Sequence, residues 1–165
     1  MILAVDVDYR AENAIVAGVT FRNWGDSSAD RVIHSKVTHV VDYEPGQFYK
    51  RELPCIIQLL NDHHLTPDFI VIDGFVVLGQ ELKPGLGMHL YEALDRKIPV
   101  IGVAKTAFKG TKPESAVLRG KSNKPLYVSA VGIDDEEAKN HICLMHGKHR
   151  IPTLLKLVDR ECRKS

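Results

Sequence analysis

The pattern of apolar and polar positions opens with three strand-like segments. Residues 1–7, 14–21 and 31–41 are rich in Val, Ile and Thr, which favour strands, and turn-forming residues separate them. Residues 23–30 contain Gly, Ser and Asp and are few enough for a hairpin connection. The pattern therefore predicts three consecutive, meandering strands at the start of the chain.

Helical and strand-like patterns alternate through the rest of the chain. Residues 54–64 carry a helical apolar face made of Ile56, Ile57, Leu59 and Leu60. Pro54 suits the first turn of this predicted helix, because the N–H that proline lacks has no partner there. Residues 69–73 are a short apolar run of the kind that parallel sheets bury. Further helices are predicted over residues 86–96, from 134 onwards and over 153–162, further strands over 99–104 and 126–131, and a loop over 106–125.

This order of elements predicts one α/β domain over residues 1–165. Three meandering strands followed by alternating helices and strands give a mixed sheet with helices on both faces, which is the order of the ribonuclease H-like fold. A chain of 165 residues is long enough for one domain to bury most of its apolar surface. A fold does not license an activity, so the function must be argued from particular residues.

Charge is nearly balanced overall and uneven locally. The chain has 22 Lys and Arg against 21 Asp and Glu, so nucleic-acid binding would depend on a local patch. From Arg96 to Lys124 there are eight basic residues and one acid, Glu114. This segment is a candidate phosphate-facing loop.

Cysteine usage and the amino terminus indicate the compartment. Cys55, Cys143 and Cys162 are scattered and odd in number, so they suggest neither a zinc site nor a disulfide framework and fit a reducing cytosol. No apolar run approaches the length of a membrane span, and the chain begins as a strand without a charged, cleavable leader. We therefore expect a soluble, cytoplasmic protein with no membrane partner.

Three carboxylates lie where predicted elements begin or end. Asp6 follows the first apolar run, Asp73 ends the run of residues 69–73, and Glu52 lies just ahead of the helix opened by Pro54. Ligands of open α/β sheets bind outside the strand ends, and carboxylate oxygens hold Mg²⁺ there. Together the three predict a metal-dependent phosphoryl-transfer site. Each alone is also compatible with capping or solvent exposure, because Asp-Gly after a strand is ordinary turn chemistry.

Four segments, taken in order, carry a resemblance to a known family. They are Asp-Val-Asp-Tyr at residues 6–9, the stretch from Asp42 to Glu52, Val-Ile-Asp-Gly at 71–74 and Pro-Val-Ile-Gly-Val-Ala-Lys at 99–105. In this order they make the chain similar to the endonuclease V family, whose members nick DNA or RNA near deaminated purines such as inosine. Tyr-Val-Ser at 127–129 and Arg-Ile-Pro at 150–152 extend the resemblance over nearly the whole chain.

The resemblance implies a ribonuclease H-like nuclease of DNA repair type, acting on a DNA or RNA substrate. It implies Mg²⁺, with Mn²⁺ as an alternative, held by Asp6, Glu52 and Asp73. Asp159 looks like the position of a further acid near the metals, and Lys105 matches a lysine of the active site. A phosphodiester resists attack, so a metal must neutralise its charge, activate water and steady the leaving oxygen.

Substrate-binding residues also come from the resemblance. Tyr43 and Pro45 lie in a Tyr-x-Pro turn, where the family uses an aromatic wedge against an extruded base; Tyr43 could instead pack over the following helix. Gly74 follows the catalytic acid, and His89 has a family counterpart, although a histidine in this setting is more often packed than catalytic. Asp8 projects to the same face as Asp6 and would either add a ligand or disturb the site.

Residues 75–84 depart from the family pattern, which usually shapes the base pocket at this point. Metal chemistry is therefore better supported by the sequence than inosine specificity. The departure leaves two alternatives open: a ribonuclease H-like nuclease with a different nucleic-acid substrate, or a non-catalytic nucleic-acid-binding relative.

Overall fold

The structure, a computed structural model, describes residues 1–42, 44, 45, 47 and 49–164. Its strands are β1 (Ile2–Tyr9), β2 (Ala14–Phe21), β3 (Arg31–Val37), β4 (Phe69–Asp73), β5 (Val77–Leu78), β6 (Lys83–Pro84), β7 (Val100–Ala104), β8 (Ala116–Val117) and β9 (Leu126–Val131). Its helices are α1 (Tyr49–Asp62), α2 (Leu86–Ala93), α3 (Asp135–Leu144) and α4 (Thr153–Cys162), with a 3₁₀ turn at Pro113–Ser115. None of the helices in this part of the chain is long and apolar enough to cross a membrane.

Seven strands form a mixed sheet in the order β3-β2-β1-β4-β7-β9-β8. The middle strands β1, β4 and β7 are parallel, and the strands on either side of them pair antiparallel. Ala4 pairs with Val71 in the parallel register of β1 and β4, so continuing that register by two residues brings Asp6 beside Asp73. The carboxyl ends of the parallel strands therefore deliver both acids to one edge of the sheet.

Each face of the sheet is covered by helices, as the sequence predicted. Leu154 and Val158 of α4 belong to the core cluster on one face, and Ile56 and Leu59 of α1 belong to the cluster on the other. The two clusters take alternate residues of β1, as a strand with period two requires. Burial on both faces explains why the central strands are nearly continuous apolar runs.

The start of α1 is the main correction to the predicted elements. The helix begins at Tyr49, so Glu52 lies in its first turn and not ahead of it, and Pro54 lies inside the helix. Proline lacks the N–H that would have donated to the carbonyl of Lys50, so the helix lacks one hydrogen bond near its start. Glu52 is consequently fixed by helical geometry, with its side chain in the amino-terminal turn.

Two other boundaries also differ from the prediction. Helix α2 ends at Ala93, because Asp95 and Arg96 adopt a φ of 57°, which is left-handed and cannot continue a helix. Strand β3 ends at Val37 and not at residue 41. The predicted loop over 106–125 contains the short strand β8, which extends the sheet by pairing with β9.

Candidate active site

The turn after β4 is held in place by the neighbouring strands. Gly74 adopts a φ of 133°, and a Cβ added to Gly102 on β7 would lie 2.5 Å from the Gly74 carbonyl oxygen. Ser129 on β9 accepts a hydrogen bond from the Val76 N–H at 2.9 Å. The absence of a side chain at Gly102 and the hydroxyl of Ser129 therefore determine where Asp73 is presented.

Four acids from four elements meet at this edge of the sheet. Asp6 comes from β1, Asp73 from β4, Glu52 from the first turn of α1 and Asp159 from α4. Burial, followed by repulsion from Asp73, raises the pKa of Asp6 to about 7, although the Val7 N–H donates to its carboxylate at 2.9 Å. The carboxylate of Asp159, which has an oxygen within 4.8 Å of one of Asp6, raises the pKa of Asp6 further.

Glu52 and Asp73 are perturbed in the same direction. Burial raises the pKa of Glu52 to about 8, and repulsion by Asp73 and Asp6 adds to that effect. Asp73 opens onto a cleft, yet desolvation by the surrounding protein raises its pKa. Attraction to Lys105 lowers the pKa but does not cancel the rise. The acids therefore repel one another without enough positive charge nearby to balance them.

Cations at the rim offset only part of this negative charge. Lys105 follows β7 and is exposed beside Asp73, whose pKa it lowers by attraction. Arg163 pairs with Asp159 at 3.1 Å, just beyond the end of α4. The negative charge that these side chains leave unbalanced fits a hard divalent cation, because closely spaced carboxylate oxygens are the donors that such cations prefer.

The tightest group of potential ligands differs from the predicted one. Ligand atoms of Asp6, Asp159 and Cys162 all lie within 4.8 Å of one another, and neither Glu52 nor Asp73 is a member of this group. The Cys162 thiol donates to the Asp159 carbonyl at 3.1 Å, and burial raises the pKa of the thiol to about 12. Hard cations such as Mg²⁺ prefer carboxylate oxygen to sulfur, so the carboxylates are the donors that this group offers to such a cation. A cation held by Asp6, Glu52 and Asp73 stays a prediction, to which Asp159 is added on geometry.

Asp8 has a partner that sequence reasoning did not foresee. Its carboxylate accepts a hydrogen bond from Nε of Arg10 at 3.3 Å. Nη2 of Arg10 donates to the carbonyls of Lys164 at 2.6 Å and Cys162 at 3.4 Å. Asp8 is therefore engaged in holding the carboxyl-terminal end of α4, the helix that carries Asp159.

A cleft of about 870 Å³ opens directly beside the acids. Its lining includes Glu52, Asp73 and two of the predicted substrate or catalytic residues, Gly74 and Lys105. Its outer wall is formed by the β5–β6 hairpin and by residues 106–110, with the rings of Phe75 and Phe108 6.4 Å apart at an interplanar angle of 61°. The divergent segment 75–84 thus builds one wall of the cleft.

The remaining predicted substrate residues are placed differently. The ring of His89 stacks on Tyr49, with centroids 3.6 Å apart, and burial lowers its pKa. The described lining of the cleft includes Tyr49 but not His89, so the structure agrees with a packing role for the histidine. Pro45 lies in an exposed turn, and Tyr43 lies outside the described residues.

The segment predicted to face phosphate contains a buried arginine. Arg119 is 6% exposed and donates to the carbonyls of a distant loop, which are those of Met145, Gly147, His149 and Arg150. Its role is therefore to hold backbone together, and this part of the prediction is wrong for Arg119. A guanidinium has five donors, which suits it to satisfying several carbonyls at once.

Several residues near the site were missed by sequence reasoning. Cys162 lies three residues after Asp159, and this spacing on a helix would have indicated that both side chains share a face. Phe75 and Phe108 come from two loops that only the tertiary structure brings together, so no local pattern pointed to them.

Comparisons of the sequence and of the structure with known proteins match this chain to the same kind of protein. A family model described as Endonuclease V matches residues 1–123. The curated endonuclease V of Thermococcus kodakarensis is 31% identical over 97% of this chain and 76% of its own length, and that of Nostoc punctiforme is 26% identical over 96% and 80%. A crystal structure of Ciona intestinalis endonuclease V, in complex with a 23mer DNA containing an inosine followed by a ribo-adenosine, has a similar fold, with a TM-score of 0.77. That match is 22% identical in sequence and covers 98% of this chain and 83% of the other.

Proposed function

Because this chain belongs to the endonuclease V family and is therefore a nuclease, we propose that it hydrolyses a phosphodiester bond of DNA or RNA near a deaminated purine, with the help of a divalent cation. One observation carries this proposal. Asp6, Glu52, Asp73 and Asp159 converge from four elements at one edge of the sheet, directly beside a cleft. Their mutual repulsion is the property expected of a site that works with a cation.

The carboxylates would hold Mg²⁺, or Mn²⁺ in its place. A bound cation neutralises charge on the phosphodiester, lowers the pKa of water and stabilises the leaving oxygen. The acids themselves contribute a pH dependence, because Asp6 and Glu52 have pKa values of about 7 and 8 and must lose protons before they can act as ligands. Lys105, exposed beside Asp73, supplies a point charge for a phosphate oxygen.

The cleft supports the proposal that the deaminated base leaves the nucleic-acid strand and enters the cleft. Its volume of about 870 Å³ exceeds what one purine needs, and the rings of Phe75 and Phe108 offer apolar faces for stacking. A deaminated base pairs weakly, so extracting it from a duplex costs less than extracting a normal base. Inosine is the proposed target, and Tyr43 as a wedge in the gap remains a prediction from the resemblance.

The test compares matched oligonucleotides that differ at one base. DNA and RNA strands containing a single inosine, or guanosine at the same position, are incubated with the protein and Mg²⁺, Mn²⁺ or EDTA. We expect a single cut near inosine with either metal and none in EDTA. Asp73→Asn should abolish the cut, whereas Asp30→Asn, which removes an exposed acid paired with Arg22 at 3.2 Å, should leave it unchanged.

Other results would favour the two alternatives. Equal cutting of inosine and guanosine strands would indicate a nuclease of different specificity, which the divergent wall formed by residues 75–84 makes a real candidate. Binding of strands without cutting under any metal condition would indicate a non-catalytic relative.

A further inference from the structure

Two neighbouring loops near the active site carry exposed basic side chains. The exposed side chains of Lys121, Lys124 and Lys148, which we call the basic platform, lie on residues 118–125 and 146–150. No acid occurs in residues 115–133 or 145–158. Among the residues that the structure describes, no carboxylate lies within ion-pair distance of these three lysines. On a chain with a net charge of only +1, this is a local excess.

Internal contacts join the two loops into one unit. Buried Arg119 donates to carbonyls of the second loop, with the shortest bond, 2.6 Å, going to Met145. Gly120 adopts a φ of 61°, and a Cβ at this position would lie 2.3 Å from the Lys148 carbonyl oxygen. The backbone that carries the three lysines is therefore packed and hydrogen-bonded across both loops.

The basic platform is continuous with the active site. Arg150 donates to the carbonyls of Lys124 at 3.2 Å and Pro125 at 3.0 Å, and also to the carbonyl of Lys105. The next two residues, Ile151 and Pro152, line a small cavity together with Asp6 and Asp73. One guanidinium therefore links the platform loops to the lysine beside the catalytic acids.

We propose that the basic platform binds the phosphate backbone of the substrate strand where that strand leaves the active site. Lysines without acid partners gain affinity for a polyanion by releasing condensed counterions, and such contacts position a strand without reading its sequence. The acids at the sheet edge repel phosphates, so attraction must come from beside them. This inference rests on the proposed function, because it assumes that the polyanion is the nuclease substrate.

Salt dependence of binding tests the proposal directly. Binding of a fluorescent single strand containing one inosine is measured by anisotropy in EDTA, from about 50 to about 200 mM salt, for the native chain and for Lys121→Gln/Lys124→Gln/Lys148→Gln. Each phosphate contact of a single strand contributes about 0.7 to the slope of log K against log salt. We expect the triple variant to lower the slope by about 2, which corresponds to about a 16-fold smaller loss of affinity over this fourfold change in salt.

A matched variant removes three exposed basic residues elsewhere. Arg22→Gln/Arg31→Gln/Lys36→Gln deletes the same charge from β3 and from the turn that precedes it, and it should keep the native slope. The single variants Lys121→Gln and Lys148→Gln should each lower the slope by about 0.7, which guards against a folding defect in the triple variant.

The outcomes separate this proposal from the proposed function. The proposal for the basic platform would be overturned if the platform variants keep the native slope of log K against log salt, or if the matched variant lowers that slope equally. Either result would overturn it even if inosine strands are cut. A lowered slope in the platform variants alone would support the platform even if the native chain cuts no inosine strand, because binding is measured without metal.

Discussion

Replacing Glu52 with glutamine should stabilise the metal-free protein at high pH. Burial and the nearby acids raise the pKa of Glu52 from 4.5 to about 8 in the folded chain. Between these two values the folded state binds more protons than the unfolded state, so the contribution of Glu52 to stability falls as pH rises. Below pH 4.5 both states are protonated and the effect vanishes. The glutamine side chain does not titrate, so the variant should escape the loss.

The size of the effect follows from the two pKa values. One pKa unit corresponds to about 1.4 kcal/mol, so a rise from 4.5 to about 8 gives an upper value of about 5 kcal/mol above pH 8. The side chain of Glu52 is partly exposed, and solvent screening reduces this figure, so we expect roughly 2–5 kcal/mol. For a chain of 165 residues, with about 2–4 °C per kcal/mol, the variant should melt roughly 4–20 °C higher than the native protein.

The assay is a set of thermal melts in EDTA and in Mg²⁺ at about pH 4 and about pH 8.5, which lie below the pKa of 4.5 of the unfolded state and above the pKa of about 8 of the folded state. In EDTA the two proteins should melt alike at the lower pH, and Glu52→Gln should melt higher at the upper pH. In Mg²⁺ at the upper pH the order should reverse, because cation binding stabilises the folded chain and needs the carboxylate. Glu12→Gln, which changes an exposed acid, is the control and should show neither effect. A variant that melts lower than the native protein in EDTA at the upper pH would refute the reasoning.

Two further substitutions test how the site is positioned. Gly102→Ala should lower the free energy of unfolding by about 1–3 kcal/mol and slow cleavage at least tenfold, because its Cβ would lie 2.5 Å from the Gly74 carbonyl oxygen and displace Asp73. The control is Gly25→Ala, whose Cβ meets nothing closer than 3.7 Å, and it should change neither the melting temperature nor cleavage. Arg10→Ala should lower kcat about tenfold, because it loses the hydrogen bonds of Arg10 to the end of α4. The control Arg22→Ala should keep the native kcat. A native kcat in Arg10→Ala would show that these bonds do not position Asp159.

The central sheet could be predicted because its signals are local. The apolar runs of β1 and β4 are followed or ended by Asp6 and Asp73, and β7 ends just before Lys105; parallel strands place such positions at one edge of the sheet. The convergence of Asp6 and Asp73 follows from the register of β1 and β4, in which Ala4 pairs with Val71. No knowledge of distant contacts was needed for this part.

The parts that could not be predicted depend on contacts between distant residues. Charge along the chain placed Arg119 in a phosphate-facing segment, yet carbonyls from residues 145–150 draw its side chain inward. Pro54 is a helix-start signal, but it lies inside α1, in the second turn, so it misplaced the start of the helix. The cleft wall depends on how residues 75–84 fold against the loop of Phe108, and periodicity carries no information about that packing.

The energetics of Asp6, Glu52 and Asp73 argue against a role for these acids as ordinary caps or solvent-facing side chains. An acid that only caps a strand or faces solvent would keep its usual pKa or a lower one, because hydrogen bonds and water favour the charged form. Desolvation and repulsion from neighbouring acids instead raise the pKa of Asp6, Glu52 and Asp73, although the Asp73 side chain is exposed to the cleft. Helices from opposite faces of the sheet supply Glu52 and Asp159 to this edge, so the repulsion is built into the fold and is not local to one turn. An arrangement that costs stability in the metal-free chain fits the cation site proposed above, because a bound divalent cation would reverse that cost.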